Sequence, residues 1–216
     1  SVNIALVNEL KTIFDRMGID VWEVIHAAES KPFGYMPFYP GPGLGGHCIP
    51  LDPFYLSWKA AEYGQWTRFI ELAGEINTRM PSYVVAKVGQ ALNEDGKAVK
   101  GSRVLVLGLS YKANIDDDRE SPSYEIIGGL KDLGAFVDYC DPFFPEMHKT
   151  RKHDFGLRSV PCAAEAFSKY DVLVVSTAHD AFKRADLYQG TRLVVDTRNA
   201  VAPLFQGSGG PRVVKA

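Results

Sequence analysis

Of the three cysteines, Cys48 is the one whose neighbours suit a nucleophile. It stands in the run Gly45-Gly46-His47-Cys48-Ile49-Pro50-Leu51-Asp52. The paired glycines let another group approach the backbone closely. Asp52-Pro53 reads as a helix start, with Asp as N-cap and Pro in the first helical position. Backbone N–H groups and the positive end of the helix dipole would then favour a thiolate. A thiolate attacks an aldehyde or acyl carbon and splits one difficult step into two. Asp52, four residues on, is placed to orient a water or a lysine. The same residues also fit a plain structural role, a small buried thiol followed by an N-cap. His47 is assigned no part, because adjacent side chains seldom face each other.

Other residues could bind rather than react. Gly108-Leu109-Ser110-Tyr111-Lys112 follows the first expected strand of the second half, where open α/β sheets bind ligands. A single glycine there is not the GxGxxG dinucleotide fingerprint. Lys112 is placed to meet a phosphate or hydroxyl, and equally fits a solvated loop. Asp116-Asp117-Asp118-Arg119-Glu120-Ser121-Pro122 lacks the alternating ligand spacing of a calcium loop. It reads as a charged loop capping the helix after Pro122. Asp141 could take a ribose, although Asp-Pro is as readily a turn. Arg198 follows a strand ending at Asp196 and fits either a ligand contact or the surface. His148 and His153 have the wrong spacing for a zinc helix and read as surface residues. Three cysteines without a CxxC argue against structural zinc and against a disulfide framework, so no metal is expected.

These residues need elements to hold them. Up to about Asp95 the chain reads as helical. Ile4, Val7, Leu10, Ile13, Phe14 and Met17 recur at helical spacing, with Gly18 as the stop. Asp20 and Glu23 make a capping-box pair for the next helix. A longer helix carries Phe69, Leu72, Ala73, Ile76 and Met80, and continues through Val84, Val88 and Leu92 after a kink or restart at Pro81. Residues 31–50 hold five prolines and five glycines, which excludes helix and central strand. Their aromatics, Phe33, Tyr35, Phe38 and Tyr39, point to an ordered, packed loop.

After Gly96 the period changes. Arg103–Leu107, Ala135–Tyr139, Asp171–Ser176 and Arg192–Asp196 are short apolar runs. They alternate with helical stretches near Ser123–Leu133, Ala163–Ser168 and Phe182–Leu187. Strands alternating with helices predict an α/β unit with a doubly wound parallel sheet. The boundary is placed near residues 95–100, and the tail from Gly207 is expected to fray.

The 216 residues are 46% hydrophobic, enough for a sizeable core. A formal net charge of −2 gives no bulk reason to bind nucleic acid or an anionic membrane. No apolar run approaches the ~20 residues of a membrane span, and the first ten residues lack a basic n-region. The composition reads as that of a reduced, cytoplasmic protein. No Met opens the chain, which is expected to be a fragment.

Lys31–Asp52 (KPFGYMPFYPGPGLGGHCIPLD) resembles the catalytic-cysteine segment of the nucleotide-sugar 6-dehydrogenases, the UDP-glucose/GDP-mannose dehydrogenase family. Asn3–Leu10, Val104–Ser121 and Val194–Arg198 resemble further segments of that family in the same order. The extended proline-rich version, with Asn77-Thr78-Arg79-Met80-Pro81, is most similar to the bacterial UDP-N-acetylglucosamine 6-dehydrogenases. The resemblance implies an all-helical central dimerisation domain over residues 1–95. A Rossmann-like, doubly wound UDP-sugar-binding domain would follow over residues 96–216. The family's N-terminal NAD-binding domain, with its catalytic lysine and asparagine, has no counterpart here, and Lys11 falls too far downstream to stand in. The implied reaction oxidises a sugar C6 alcohol to a carboxylate with two NAD, through a cysteine thiohemiacetal and thioester.

The resemblance assigns Cys48 as nucleophile and Asp52 as its partner in handling water or a proton. Lys112 and Arg198 would contact substrate, and Arg119 the NAD phosphates. Phe38, Tyr39, Leu44 and Gly45 would line the sugar–nucleotide pocket, and Lys31 would be a basic residue reaching across a homodimer. The partners implied are a UDP-sugar and a second copy, with no nucleic acid and no membrane. Alternatives are UDP-glucose or GDP-mannose as substrate, a non-catalytic nucleotide-sugar-binding or dimerisation module, and a cysteine hydrolase. The last is disfavoured by the poor geometry of a side-by-side His-Cys.

Overall fold

The computed structural model describes residues 1–205, 207 and 209–216. Four helices come first: α1 (Val2–Met17), α2 (Val21–Glu29), α3 (Cys48–Glu62) and α4 (Arg68–Glu94). The α/β part follows as β1 (Arg103–Leu107), α5 (Pro122–Asp132), β2 (Phe136–Cys140), the short α6 (Ala164–Phe167), β3 (Val172–Val175), β4 (Leu193–Asp196) and β5 (Arg212–Lys215). The expected helical stretch at 182–187 is two 3-10 turns, Asp180–Phe182 and Ala185–Tyr188. All pairings are parallel and the strand order is β2-β1-β3-β4-β5. This is a doubly wound order, and its switch point lies between β1 and β3.

Several local expectations are corrected. Helix α3 starts at Cys48 rather than Asp52, so Asp52 is not an N-cap and Pro53 lies inside the helix. Pro50 is tolerated because it sits in the first turn, where an N–H has no intrahelical acceptor. Helix α4 runs unbroken through Pro81. Met80, Pro81 and Val84 are all buried, so tertiary packing holds the helix together where the proline removes one bond.

On α1 the buried face is Ala5, Val7, Asn8 and Lys11, whereas Ile13 and Met17 of the expected apolar face are exposed. Polar partners decided that face. Asn8 donates to Asn77 Oδ1 at 2.9 Å and accepts from the Gly41 N–H at 3.0 Å. The Lys11 ammonium donates to the Lys215 carbonyl at 3.1 Å.

The tail expected to fray from Gly207 instead ends in β5, paired along β4; Ser208 in that tail lies outside the described residues. Two side chains anchor β5. Arg212 is paired with Glu94 at 2.9 Å and Asp95 at 2.7 Å, and it caps the Ala91 carbonyl of α4 at 2.7 Å. Lys215 pairs with Asp20 of the helical half.

One sheet face packs on α4 and α5. Val84, Val88, Ala91 and Leu92 of α4 share a single apolar cluster with Val104, Val106, Ile126, Ile127, Val172 and Val195. The other face is covered by the α6 region and the 3-10 turns through Phe167, Phe182, Leu187 and Tyr188. The chain therefore changes period near residue 95, but the core does not stop there. The second half of α4 belongs to the sheet. Leu92→Ala should cost ~2–5 kcal/mol, the range for a fully buried leucine. Urea unfolding should show that loss in the transition of the sheet; an unmoved midpoint would separate α4 from this core.

Candidate functional site

The carboxyl ends of the parallel strands gather the polar residues. Gly108, Ser110 and Tyr111 follow β1, Asp141 follows β2, Ser176, Thr177 and His179 follow β3, and Thr197 and Arg198 follow β4. Gly108 lies so close to Thr177 that a side chain there would overlap it. Ser123 at the start of α5 donates to the Gly108 carbonyl at 2.8 Å and shares a 2.7 Å hydrogen bond with Ser176. These contacts close the switch point between β1 and β3, where this topology binds ligands.

Asp141 is the hub of this edge. Its Oδ2 accepts from the N–H of Leu109 (2.6 Å) and Ser110 (3.0 Å) and from His179 Nε2 (3.1 Å). Its Oδ1 accepts from Phe143 N–H at 2.7 Å and Phe144 N–H at 3.3 Å. The carboxylate is saturated by protein donors, so it shapes the β1 loop rather than meeting a ribose. Burial alone would raise its pKa, but the His179 bond and the backbone donors outweigh burial and hold it below the ordinary aspartate value.

His179 is fully buried. Its Nδ1 accepts from the Asn114 N–H at 3.0 Å, so the proton of the neutral ring sits on Nε2 and points to Asp141. It thereby ties the end of β2 to the loop that carries Lys112. The sequence reading missed His179, because nothing local distinguishes it from the other histidines.

The proline-rich loop lies across this edge. At one end the partly buried Arg198 packs under Gly41, where any side chain would collide with its guanidinium. Arg198 also donates to the Ser176 carbonyl at 3.0 Å. Burial pushes its pKa down to about 10, opposed by Asp196, so it stays charged at neutral pH. Further along, Gly45 lies against the Tyr111 side chain, again with no room for a Cβ, and the Gly46 N–H donates to the Arg119 carbonyl at 2.8 Å. The glycines are thus required by close approach between the two halves of the chain.

Cys48 then opens α3, exposed, in the first helical position. Asp52 stands four residues on, one turn along the same helix face. Arg119 is exposed and clasped by Asp117 (Nε at 2.9 Å, NH2 at 2.6 Å), which raises its pKa; the Cys48 sulfur adds a smaller favourable field. The structure therefore brings Cys48, Asp52, Arg119 and Gly45 to one end of the loop, and Arg198 to the other. Lys112 is exposed on the loop after β1, next to Tyr111.

The remaining expected site residues are dispersed. Tyr39 stacks on Trp22 at 5.6 Å and donates to Glu29 at 3.2 Å, on the α2 side. Lys31 is exposed just past α2, and Phe38 is half-buried. Leu44 lines a cavity of about 730 Å³ between α3, α4 and α5, with Ile49, Phe54 and Pro81. That cavity is not lined by Cys48, Lys112 or Arg198, although Gly43 and Leu44 of the loop face it. Of the two histidines read as surface, His148 is exposed. His153 is largely enclosed, stacked on Tyr124 and Phe155 with Glu125 at 3.1 Å. Among the described residues no cluster of three or more His, Cys, Asp or Glu could hold a metal. No described helix is long and apolar enough to cross a membrane.

Comparison with known proteins gives two domain matches to one family. Residues 1–79 match the UDP-glucose/GDP-mannose dehydrogenase family central domain, and residues 105–203 match its UDP binding domain. The chain is 37% identical to a UDP-N-acetyl-D-glucosamine 6-dehydrogenase of Pseudomonas aeruginosa, over 84% of this chain and 42% of that protein. It is 35% identical to a UDP-N-acetyl-D-mannosamine dehydrogenase of Methanococcus maripaludis, over 92% of this chain and 44% of the relative. The structure of a UDP-D-ManNAc dehydrogenase from Pyrococcus horikoshii superposes with a TM-score of 0.81 at 27% identity, covering 98% of this chain and 47% of that one. The chain thus spans under half the length of these relatives.

The depressed pKa of Asp141 carries a pH dependence. Its contribution is fully present above the unfolded aspartate value near 3.8 and is lost as pH falls through the lower native value. Asp141→Asn should cost ~2–4 kcal/mol at pH 7 by leaving buried donors poorly matched. It should also flatten the acid limb of the stability curve. Urea midpoints for both forms between pH 7 and pH 3 test this; parallel curves would remove Asp141 from its role as hub.

Proposed function

Because this chain belongs to the UDP-glucose/GDP-mannose dehydrogenase family, we propose that it is the central and UDP-sugar-binding portion of an NAD-dependent nucleotide-sugar 6-dehydrogenase. The supporting observation is the loop 41–48, which joins an exposed cysteine at a helix start to the ligand edge of the sheet. The nucleotide sugar lies along that edge in this reading, with its diphosphate met by Lys112 and Arg198. An amino sugar, UDP-N-acetylglucosamine first, is favoured by the relatives that match the chain. Phe38, Tyr39, Leu44 and Gly45 complete the wall of the site, and Lys31 serves the neighbouring subunit.

Bound NAD supplies the acceptor for two hydrides. It is held mainly by a domain outside these 216 residues. Arg119 fits a phosphate contact, since it is exposed beside Cys48 and Asp117 occupies only its Nε and NH2 edge. Cys48 adds through its sulfur to the C6 aldehyde, forming a thiohemiacetal whose carbon is then oxidised to a thioester. The first-turn N–H groups of α3 favour the negative charge on sulfur. Asp52, on the same helix face, orients the water that attacks the thioester and accepts its proton. Water releases the carboxylate, and Cys48 returns as thiolate.

Homodimerisation is part of the same reading. Helix α3 buries none of its residues within the chain, and Phe54, Tyr55, Leu56 and Trp58 on it are exposed together with Phe69 and Leu72 of α4. So large an apolar surface suits a partner copy.

Calorimetric titration with UDP, UDP-N-acetylglucosamine, UDP-glucose and GDP-mannose tests the assignment. UDP ligands should bind in preference to GDP-mannose, and Lys112→Ala should weaken them at least tenfold. Equal binding of the GDP-sugar, or an unaffected Lys112→Ala, would overturn the nucleotide assignment. Light scattering should give twice the 23.8 kDa chain mass; a monomer at micromolar concentration would overturn the dimer.

A further inference from the structure

The dehydrogenase reading uses Cys48 and leaves two other thiols without a role. Cys140 ends β2 and is buried. Cys162 lies in the loop before α6 and is exposed. The intervening chain returns beside β2 and is fixed there. Ser159 bridges Tyr139 in parallel, the Val160 N–H donates to the Tyr139 carbonyl at 2.9 Å, and the Asp141 N–H donates to Ser159 Oγ at 2.9 Å. Cys140 stands one residue past Tyr139 and Cys162 two past Val160, so the two thiols belong to adjacent segments and each shifts the titration of the other.

The two thiols differ in the way that a reactive pair requires. Cys162 is reached from solvent; its pKa is pushed down to about 7, chiefly by the neighbouring Cys140 thiol and further by the field of the Arg184 guanidinium, against burial. Cys140 is pushed up by its contact with Cys162, by burial and by the Asp141 charge, with only the Ser159 hydroxyl opposing, and so keeps its proton. Tyr188 is the further titratable group facing the pair, itself pushed up by burial.

We infer that Cys140 and Cys162 form an oxidation site, closing to a reversible disulfide when the protein meets a peroxide. The Cys162 thiolate attacks one oxygen of hydrogen peroxide, the O–O bond breaks, and hydroxide leaves with a proton as water. The resulting sulfenic acid is attacked by Cys140 sulfur; the S–S bond forms, the S–O bond breaks, and a second water leaves. Two thiols and one peroxide give one disulfide and two waters, and the peroxide takes both electrons. The bond sits one residue from Asp141, so it staples segment 159–162 to the strand end that holds the β1 loop. The inference does not depend on the substrate or on the dehydrogenase assignment.

The test uses the reduced 216-residue chain under native conditions, with hydrogen peroxide near stoichiometry, then alkylation, digestion and mass spectrometry. The expected product is a peptide pair linked through Cys140 and Cys162, with two of the three thiols lost and restored by dithiothreitol. Cys162→Ser should abolish the link, while Cys48→Ser should leave it. The site is refuted if Cys140 is recovered alkylated after denaturation while Cys162 carries sulfinic or sulfonic acid. It is equally refuted if the linked peptides contain Cys48.

Discussion

A single carboxylate sets the geometry of the ligand edge. Asp141 gathers backbone N–H groups from the loops after β1 and β2 and the ring of His179 after β3. Such a group is costly to bury alone and stable only when its oxygens are satisfied. Once it is satisfied, three loops from three strands lose their independence. The exposed side chains that follow, Lys112 among them, are carried by a frame whose own polar groups are already satisfied. The division is a general one, with saturated buried charge positioning and unsaturated exposed charge binding.

A second constraint joins the halves of the chain. The Asn8–Asn77 pair and the Gly41 N–H form one polar joint, Lys11 and Asp20 meet the last strand, and α4 carries the core across. Arg198 under Gly41 and Tyr111 against Gly45 add close contacts at which the loop has no freedom to lift. The cysteine-bearing loop is therefore gripped from both sides. Its position is a property of the whole chain rather than of residues 31–50.

The parallel sheet and its first four strands were legible in the sequence because apolar runs with β-branched residues leave few alternatives. The cysteine segment stood out through its resemblance to a family, since its residues taken alone fitted a small structural thiol as readily. What escaped has a common cause. The buried face of α1 is chosen by Asn8 and Lys11, whose partners lie about 70 and 200 residues away, a separation that no local period encodes. β5 follows a glycine-rich stretch and was masked by it, although its Arg-Val-Val-Lys core has ordinary strand character. The start of α3 was set five residues late, because Asp52-Pro53 imitates a cap while Pro50 hides inside a legitimate first turn. His179 gained its importance entirely from two partners brought by folding.

The Lys11–Lys215 hydrogen bond spans 204 positions. During synthesis α1 is among the first of these segments to leave the ribosome, yet its buried lysine meets its acceptor only after β5 has emerged. Until then the Lys11 ammonium has Asp15, one turn along α1, but not its carbonyl acceptor, and the sheet lacks its edge strand. Closing a loop of this length is entropically slow rather than prohibitive. The helical half thus lacks one of its long-range bonds until β5 has emerged, and its consolidation coincides with completion of the sheet.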